Sequence, residues 1–348
     1  MSQKKISDFG INIGKMPKGK LNKITDVKGV TVGHATIQND KHNTGVTVIM
    51  PTEDNTYHNK LVAASFVHNG YGKTAGTLQV NELGSLESPI ALTNTLNVGI
   101  VSDALVEYVS KRCEDEGRPL TSLNTVVGEC NDSMINTITE RAVTKEHVFE
   151  AIANASADFK EGNVGAGTGT HCYYLKGGIG SSSRIVELGG KKYTVGVLVQ
   201  SNYGTTADMM IGGKKVGEEI SQYIKENEED RGSIIVVVAT DVPVSSRQLR
   251  RIIRRASVGI ARMGSYIGNG SGEVFLGFST ANVLKTDEEN DIINISCIRE
   301  SKIDEMFRAV GEATEEAILN SMVCADKVVA FNGKVLPSLR DYLENNKL

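Results

Sequence analysis

Residues 225–243 read KENEEDRGSIIVVVATDVP, a charged run set directly against Ile234, Ile235, Val236, Val237, Val238 and Ala239, which follow without a polar break. An apolar, β-branched run of this length, bounded by Gly and Pro, reads as a fully buried strand. Gly232 and Ser233 stand at the seam between the polar segment and that strand. Whatever folds around the run has to supply a large core, and 348 residues are enough to do so.

Further strand-like runs recur: VTVGHATI (30–37), GVTVIM (45–50), AASFVH (63–68), SPIALTNT (88–95), YTVGVLVQ (193–200), SIIVVVAT (233–240) and EVFLGFST (273–280). Helical spacing is concentrated in three places. Over 245–263, Leu249, Ile252, Ile253, Ala256, Ile260 and Met263 form one apolar face with Ser246 as N-cap. Over 302–323 the stripe is Ile303, Met306, Phe307, Val310, Ala317 and Ile318, capped by Ser301, and 99–113 carries Val101, Ala104, Leu105, Tyr108 and Val109. Strands mixed with helices suit sheets covered by helices. No internal repeat or low-complexity tract appears, and the 6 prolines mark no linker, so a single domain spanning 1–348 is expected. The most polar segment, 214–231, reads as a linker, an exposed helix followed by a loop, or a processed region.

With 38 Lys+Arg against 42 Asp+Glu the net charge of -4 offers no general attraction to nucleic acid or to an anionic membrane. Six arginines crowd 245–263 (Arg247, Arg250, Arg251, Arg254, Arg255, Arg262), but no aromatic residues interleave with them. No run of 18 apolar residues predicts a membrane helix, and the N-terminus lacks the apolar region of a signal peptide. The scattered Cys113, Cys130, Cys172, Cys297 and Cys324 have neither CxxC spacing nor an even count, which suits a cytoplasmic protein with reduced thiols. The six histidines include no HExxH and no pair at helical metal spacing, so no metal and no cofactor are expected.

The glycine-rich stretch 162–184, GNVGAGTGTHCYYLKGGIGSSSR, lacks the Walker pattern and reads as tight turns and a β-hairpin. No GxSxG elbow is present either. A nucleophile can instead be activated by its own free α-amine, whose pKa of about 7.7–8.0 lies near working pH, once chain cleavage makes it a terminus. Ser233 behind Gly232 is the natural position for that chemistry, although by spacing alone Gly-Ser before a strand is most often just a turn.

The order of several segments narrows the choice. LNKITDVKGVTVGHATI (21–37), NTGVTVIMP (43–51), SPIALTNTLNVG (88–99), GNVGAGTGT (162–170), KGGIGSSSR (176–184), GVLVQSNYG (196–204), GSIIVVVATDVP (232–243) and GNGSGEVFLGFSTAN (268–282) follow one another as in the DmpA-type aminopeptidases. The chain resembles that family, which comprises the L-aminopeptidase/D-Ala-esterase/amidases and β-peptidyl aminopeptidases, over nearly its whole length. The resemblance implies an α+β fold, a four-layer αββα sandwich like that of N-terminal-nucleophile hydrolases with different connectivity. It implies self-cleavage between Gly232 and Ser233 into an α chain 1–232 and a β chain 233–348.

By the same resemblance Ser233 is the nucleophile, the Asn202 side chain helps hold the oxyanion, and Ser271 and Glu273 form a pair beside the nucleophile. Glu273 would hold the Ser233 amine and attract a substrate's N-terminus. The expected activity is release of N-terminal residues from small peptides, amides or esters through an acyl-enzyme, by a homo-oligomer of αβ units. Two alternatives remain: an acyltransferase of the ornithine acetyltransferase type, which uses threonine, and an uncleaved small-molecule-binding protein. In VVGECNDSMIN (126–136), Cys130 and Asn131 stand where relatives commonly carry an aromatic residue, which leaves the preference among L-, D- and β-residues open.

Overall fold

The computed structural model describes residues 3–224, 231–286 and 290–346. In chain order its strands begin with β1 (Thr31–Gln38), β2 (Asn43–Met50), β3 (Asn59–Gly70), β4 (Ser85–Leu86), β5 (Ile90–Asn94), β6 (Val126–Cys130) and β7 (His171–Cys172). They continue with β8 (Leu175–Lys176), β9 (Gly178–Leu188), β10 (Lys191–Asn202), β11 (Met210–Ile211), β12 (Lys214–Lys215), β13 (Arg231–Thr240) and β14 (Gly270–Lys285). The helices used below are α1 (Thr77–Leu83), α2 (Val98–Asp115), α3 (Lys145–Ala153), α4 (Gly217–Ile224), α5 (Ser246–Ile253), α6 (Ala256–Arg262) and α7 (Asp304–Val323).

One sheet has the order β1-β2-β5-β6 and the other β4-β3-β14-β13-β10-β9. Three apolar clusters show how they stack. Val32, Ile49, Leu92 and Val126 of the smaller sheet meet Leu198, Ile235, Val237 and Leu276 of the larger one. The far face of the larger sheet, including Val197, Val236 and Phe275, packs under α5, α6 and α7. The far face of the smaller sheet, including Val46, Val48 and Ala91, packs under α2 and α3. The layers are therefore helix, sheet, sheet, helix, the expected αββα sandwich.

This stacking accounts for the unbroken apolar run. Successive side chains of a strand point to opposite faces. Ile234, Val236 and Val238 enter the helix-covered core, whereas Ile235, Val237 and Ala239 enter the core between the sheets. β13 is also interior in its own sheet, antiparallel to β10 and parallel to β14. The charged run preceding it, residues 225–230, lies outside the described residues.

Two helix expectations need correction. The stripe expected to make one helix over 245–263 is divided between α5 and α6, with a turn at Arg254 and Arg255. The halves serve different surfaces, since α5 packs on β3 and β14 while α6 packs on α7. The N-cap is Ser245, whose hydroxyl accepts the Gln248 N–H at 3.3 Å; Ser246 instead donates to the Ala63 carbonyl at 2.7 Å. Ser301 does not cap the other helix. It lies in a 3-10 turn, and α7 begins after Ile303.

α7 is buried nearly all round rather than along one stripe, Glu312, Glu315 and Glu316 included. It lies so close to β9 that a methyl at Gly180 would meet the Ala317 carbonyl oxygen at 2.0 Å. The acidic side is neutralised by Arg184, which is fully buried and contacts Glu312 at 3.3 Å and Glu316 at 2.8 Å. Burial alone would raise the Glu316 pKa, but the Arg184 charge and the Lys18 hydrogen bond bring it below the usual value. Replacing one member of a buried ion pair strands the other. Arg184→Met should cost about 3–5 kcal/mol in urea unfolding at neutral pH; a loss below about 1 kcal/mol would show that Glu316 finds other compensation.

Candidate active site

Ser233 stands near the start of β13, in register with Asn202 on β10 and with Gly272 on β14. The glycine before it is sterically required, because a Cβ on Gly232 would lie 2.0 Å from the Asn202 carbonyl oxygen and 2.8 Å from Tyr203 Cα. Gly232, Ser233 and Asn202 together line a cavity of about 590 Å³, whose other walls include Glu129, Asn131, Met134 and His171. A cavity of this size suits a small molecule or short peptide.

The orientation of Asn202 follows from its partner. Its Oδ1 accepts the His171 backbone N–H at 3.1 Å, which settles the amide assignment, since a backbone N–H can only donate. The NH₂ end is therefore the one left to serve an acceptor in the cavity beside Ser233.

Ser271 and Glu273 are placed differently. In the β13–β14 register they lie opposite Gly232 and Ile234, so alternation puts them toward the helix-covered core, across the sheet from Ser233. Neither lines the cavity, and both are buried. The Ser271 hydroxyl donates to Glu273 Oε1, a pair lying directly behind the Gly232 to Ser233 bond.

The carboxylate that does face the cavity is Glu129, which no sequence motif singled out. Its Oε1 accepts the Lys73 N–H at 2.8 Å and its Oε2 accepts from the Thr95 hydroxyl. A charge inside an otherwise apolar strand run, Val126 to Cys130, was the available signal. The next residue, Cys130, is fully buried between the sheets, on the Ser233 side of β13, with Sγ 3.4 Å from the Gln200 carbonyl and 3.6 Å from that of Ser233. Burial pushes its thiol well above the ordinary pKa. Asn131, by contrast, reaches the cavity.

His171 is the histidine among the cavity residues, brought there by the glycine-rich stretch, which folds as a 3-10 turn at Gly165–Gly167 and the β7–β8 hairpin. Burial first, and then the Lys176 and Lys334 charges, lower its pKa to about 3. A neutral imidazole that weak is a poor general base near pH 7. Among the described residues no group of three or more His, Cys, Asp or Glu is arranged to hold a metal ion. No helix among them is long and apolar enough to cross a membrane.

Similarity to known proteins places these layers and this strand-end serine among the peptide-bond hydrolases, on a variant of the N-terminal-nucleophile hydrolase fold. The chain belongs to Peptidase family S58, which matches residues 22–336. It is 38% identical over 360 aligned positions to the β-peptidyl aminopeptidase BapA of Sphingosinicella xenopeptidilytica, covering 97% of this chain and 89% of that protein. It superposes on the PH0078 protein of Pyrococcus horikoshii OT3 with a TM-score of 0.92 and 46% identity, over 98% of both chains. The L-aminopeptidase D-Ala-esterase/amidase of Ochrobactrum anthropi, described as a prototype of the serine aminopeptidases and a new variant of the Ntn hydrolase fold, gives a TM-score of 0.91 at 32% identity, over 98% of this chain and 96% of that one. The chain is thus an aminopeptidase or amidase by kinship.

Beside the cavity, Asp132 accepts hydrogen bonds from Asn94 at 3.1 Å and Asn136 at 3.0 Å. Burial nevertheless raises its pKa to about 6, against the lowering by Thr44, Asn136 and Asn94. The native state therefore binds this proton more tightly than the unfolded chain, and stability falls as pH rises from about 4 to about 6. Asp132→Asn removes that slope. Urea unfolding should show the variant gaining about 3 kcal/mol relative to wild type between about pH 4 and pH 7; parallel stability curves would contradict the assignment.

Proposed function

We propose that Ser233 cuts its own chain and then serves as nucleophile of an aminopeptidase that removes N-terminal residues from small peptides, amides or esters. Its Oγ attacks the Gly232 carbonyl carbon, the peptide bond to the Ser233 nitrogen breaks, and that nitrogen takes up the hydroxyl proton. Water then hydrolyses the Gly232 ester, leaving an α chain 1–232 and a β chain 233–348. The freed α-amine, with a pKa of about 7.7–8.0, takes the Ser233 proton in each later turnover and returns it to the leaving amine.

The observation that carries this reading is a strand-end serine lining the cavity directly after a glycine that has no room for a side chain, in register with an oriented donor. His171 has its pKa lowered to about 3, while Asn202 offers its NH₂ end beside Ser233. The buried Ser271 and Glu273 pair behind the scissile bond supplies an anion that can hold the new ammonium. Small substrates are favoured by the cavity volume, and relatives carrying the names β-peptidyl aminopeptidase and L-aminopeptidase support both substrate classes. Free cysteines, four of the five buried, suit the reducing cytoplasm. Intact mass should find wild type cut between Gly232 and Ser233, and Ser233→Ala as one 348-residue chain. Scission of the alanine variant at that bond would disprove self-cleavage by Ser233.

Glu129, rather than Glu273, is the carboxylate placed to receive a substrate ammonium, because it is the one that faces the cavity. Removing a charge-assisted hydrogen bond from a buried site costs on the order of 1.5–3 kcal/mol. Glu129→Gln should raise KM for free-amine p-nitroanilides about 10- to 100-fold while the chain is still processed. An unchanged KM would place amine recognition elsewhere.

A further inference from the structure

We propose that Lys176, a buried cation remote from the reacting atoms, is a positioning residue that orients and polarises the Asn202 oxyanion donor through the peptide joining Thr170 to His171. This rests on the role proposed for Asn202. Lys176 has no exposed surface, and the Asp132 charge, which favours its ammonium form, reaches it without a direct hydrogen bond. Its Nζ instead donates to three backbone carbonyls, of Gly167 at 2.9 Å, Thr170 at 2.6 Å and Gly177 at 2.7 Å. Burial lowers its pKa to about 7, but the three acceptors hold the ammonium form, because a neutral amine has only two hydrogens to give.

The Thr170 carbonyl and the His171 N–H are two ends of one peptide group. A trans peptide is planar, so its C=O and N–H point in opposite directions. Fixing the oxygen on the Lys176 ammonium therefore fixes the direction of the N–H, which meets Asn202 Oδ1 at 3.1 Å. A cation on the carbonyl also draws electron density from the nitrogen, making its N–H a stronger donor, and hydrogen-bond chains polarise one another in this way. The sequence of groups is ammonium, peptide, Asn202 amide, and then the oxyanion that forms when Ser233 attacks.

The hairpin needs such a clamp. Tyr173 and Tyr174, the two turn residues between β7 and β8, have φ of 52° and 57°, a left-handed conformation that glycine or asparagine adopts more readily. The turn is further pinned where the Tyr173 N–H donates to the Tyr203 carbonyl at 2.8 Å and the Thr206 hydroxyl donates to the Tyr173 carbonyl at 2.7 Å. Without the ammonium, the Gly177 carbonyl loses its donor, while the Thr170 carbonyl keeps the longer bond from the Gly177 N–H at 3.2 Å and the Gly167 carbonyl the one from the Thr170 hydroxyl at 3.1 Å; the hairpin can then relax, carrying the His171 N–H away from Asn202.

The test is a double-mutant cycle of Lys176→Met and Asn202→Ala, with turnover referred to acyl-enzyme sites counted by burst titration. Lys176→Met should lower kcat about 10- to 100-fold with KM changed less than about twofold. In the Asn202→Ala background the same change should cost almost nothing, because the group it acts through is gone. Equal losses in both backgrounds, or no loss in either, overturn the inference while leaving Asn202 as oxyanion donor. Failure of Asn202→Ala by itself to lower kcat instead removes the role of Asn202 and the inference with it. Where Lys176→Met does not fold, Lys176→Gln takes its place; failing that, Gly177→Ala does, since its methyl would press on the Ser201 carbonyl oxygen from 2.7 Å and on the His171 carbonyl carbon from 2.8 Å, shifting the Gly177 carbonyl and N–H that Lys176 and Thr170 use.

Discussion

The two-sided burial of β13 is the constraint on which the rest depends. Ile234, Val236 and Val238 belong to one core and Ile235, Val237 and Ala239 to another, so the strand is held by both layers and by ladders on both edges. Each fully buried aliphatic side chain of this size is worth about 1.5–3 kcal/mol. A strand fixed so firmly gives its first residues almost no freedom. Ser233 stands at the point where that rigidity meets a polar cavity, with Asn202 on one neighbouring strand and Gly272 on the other.

The polar groups around Ser233 divide by which side of the sheet they occupy. Asn202 and Glu129 face the cavity, while Ser271 and Glu273 lie behind the backbone of the same strand pair. This separation suits two anions with different tasks: one carboxylate can meet the substrate's amine and the other the enzyme's own. The cavity histidine takes no proton near neutrality because burial and two nearby lysines disfavour its charged form. The self-cleavage proposed for Ser233 would supply a base of another kind, the serine's own amine.

Much of the fold was legible as pattern. The strand runs all correspond to strands, with ends shifted by a few residues, because β-branched runs bounded by turn residues carry their own local signal. The three helices were visible for the same reason, but their limits were not. Periodicity over 245–263 reports one apolar face and cannot reveal that α5 packs on a sheet while α6 lies over a helix. Capping was misplaced by a single residue, since Ser245 and Ser246 are chemically alike and only the hydrogen-bond geometry separates them. Nothing local announced that Glu312, Glu315 and Glu316 would be buried, because the charges that compensate Glu312 and Glu316 come from Arg184 and Lys18, far away in the chain.

At the site, motif order singled out the strand-borne residues Asn202, Gly232, Ser233, Ser271 and Glu273 as candidates. It could not say which faced the cavity, since that depends on the register of β10, β13 and β14. Glu129 and Lys176 were overlooked because a single charge in an apolar or glycine-rich stretch has no partner within the motif. By itself the sequence determined the layered α+β architecture, the family and the glycine-serine bond at the head of the buried strand, all of which are written in contiguous residues. Only tertiary structure decided that Glu129 faces the cavity, that Ser271 and Glu273 stand behind the bond, and that Lys176 holds the peptide on which Asn202 rests. Apart from the short reach of Lys176 to Thr170, those relations join segments tens of residues apart, and the free energy that sets them comes from burial and electrostatics summed across layers.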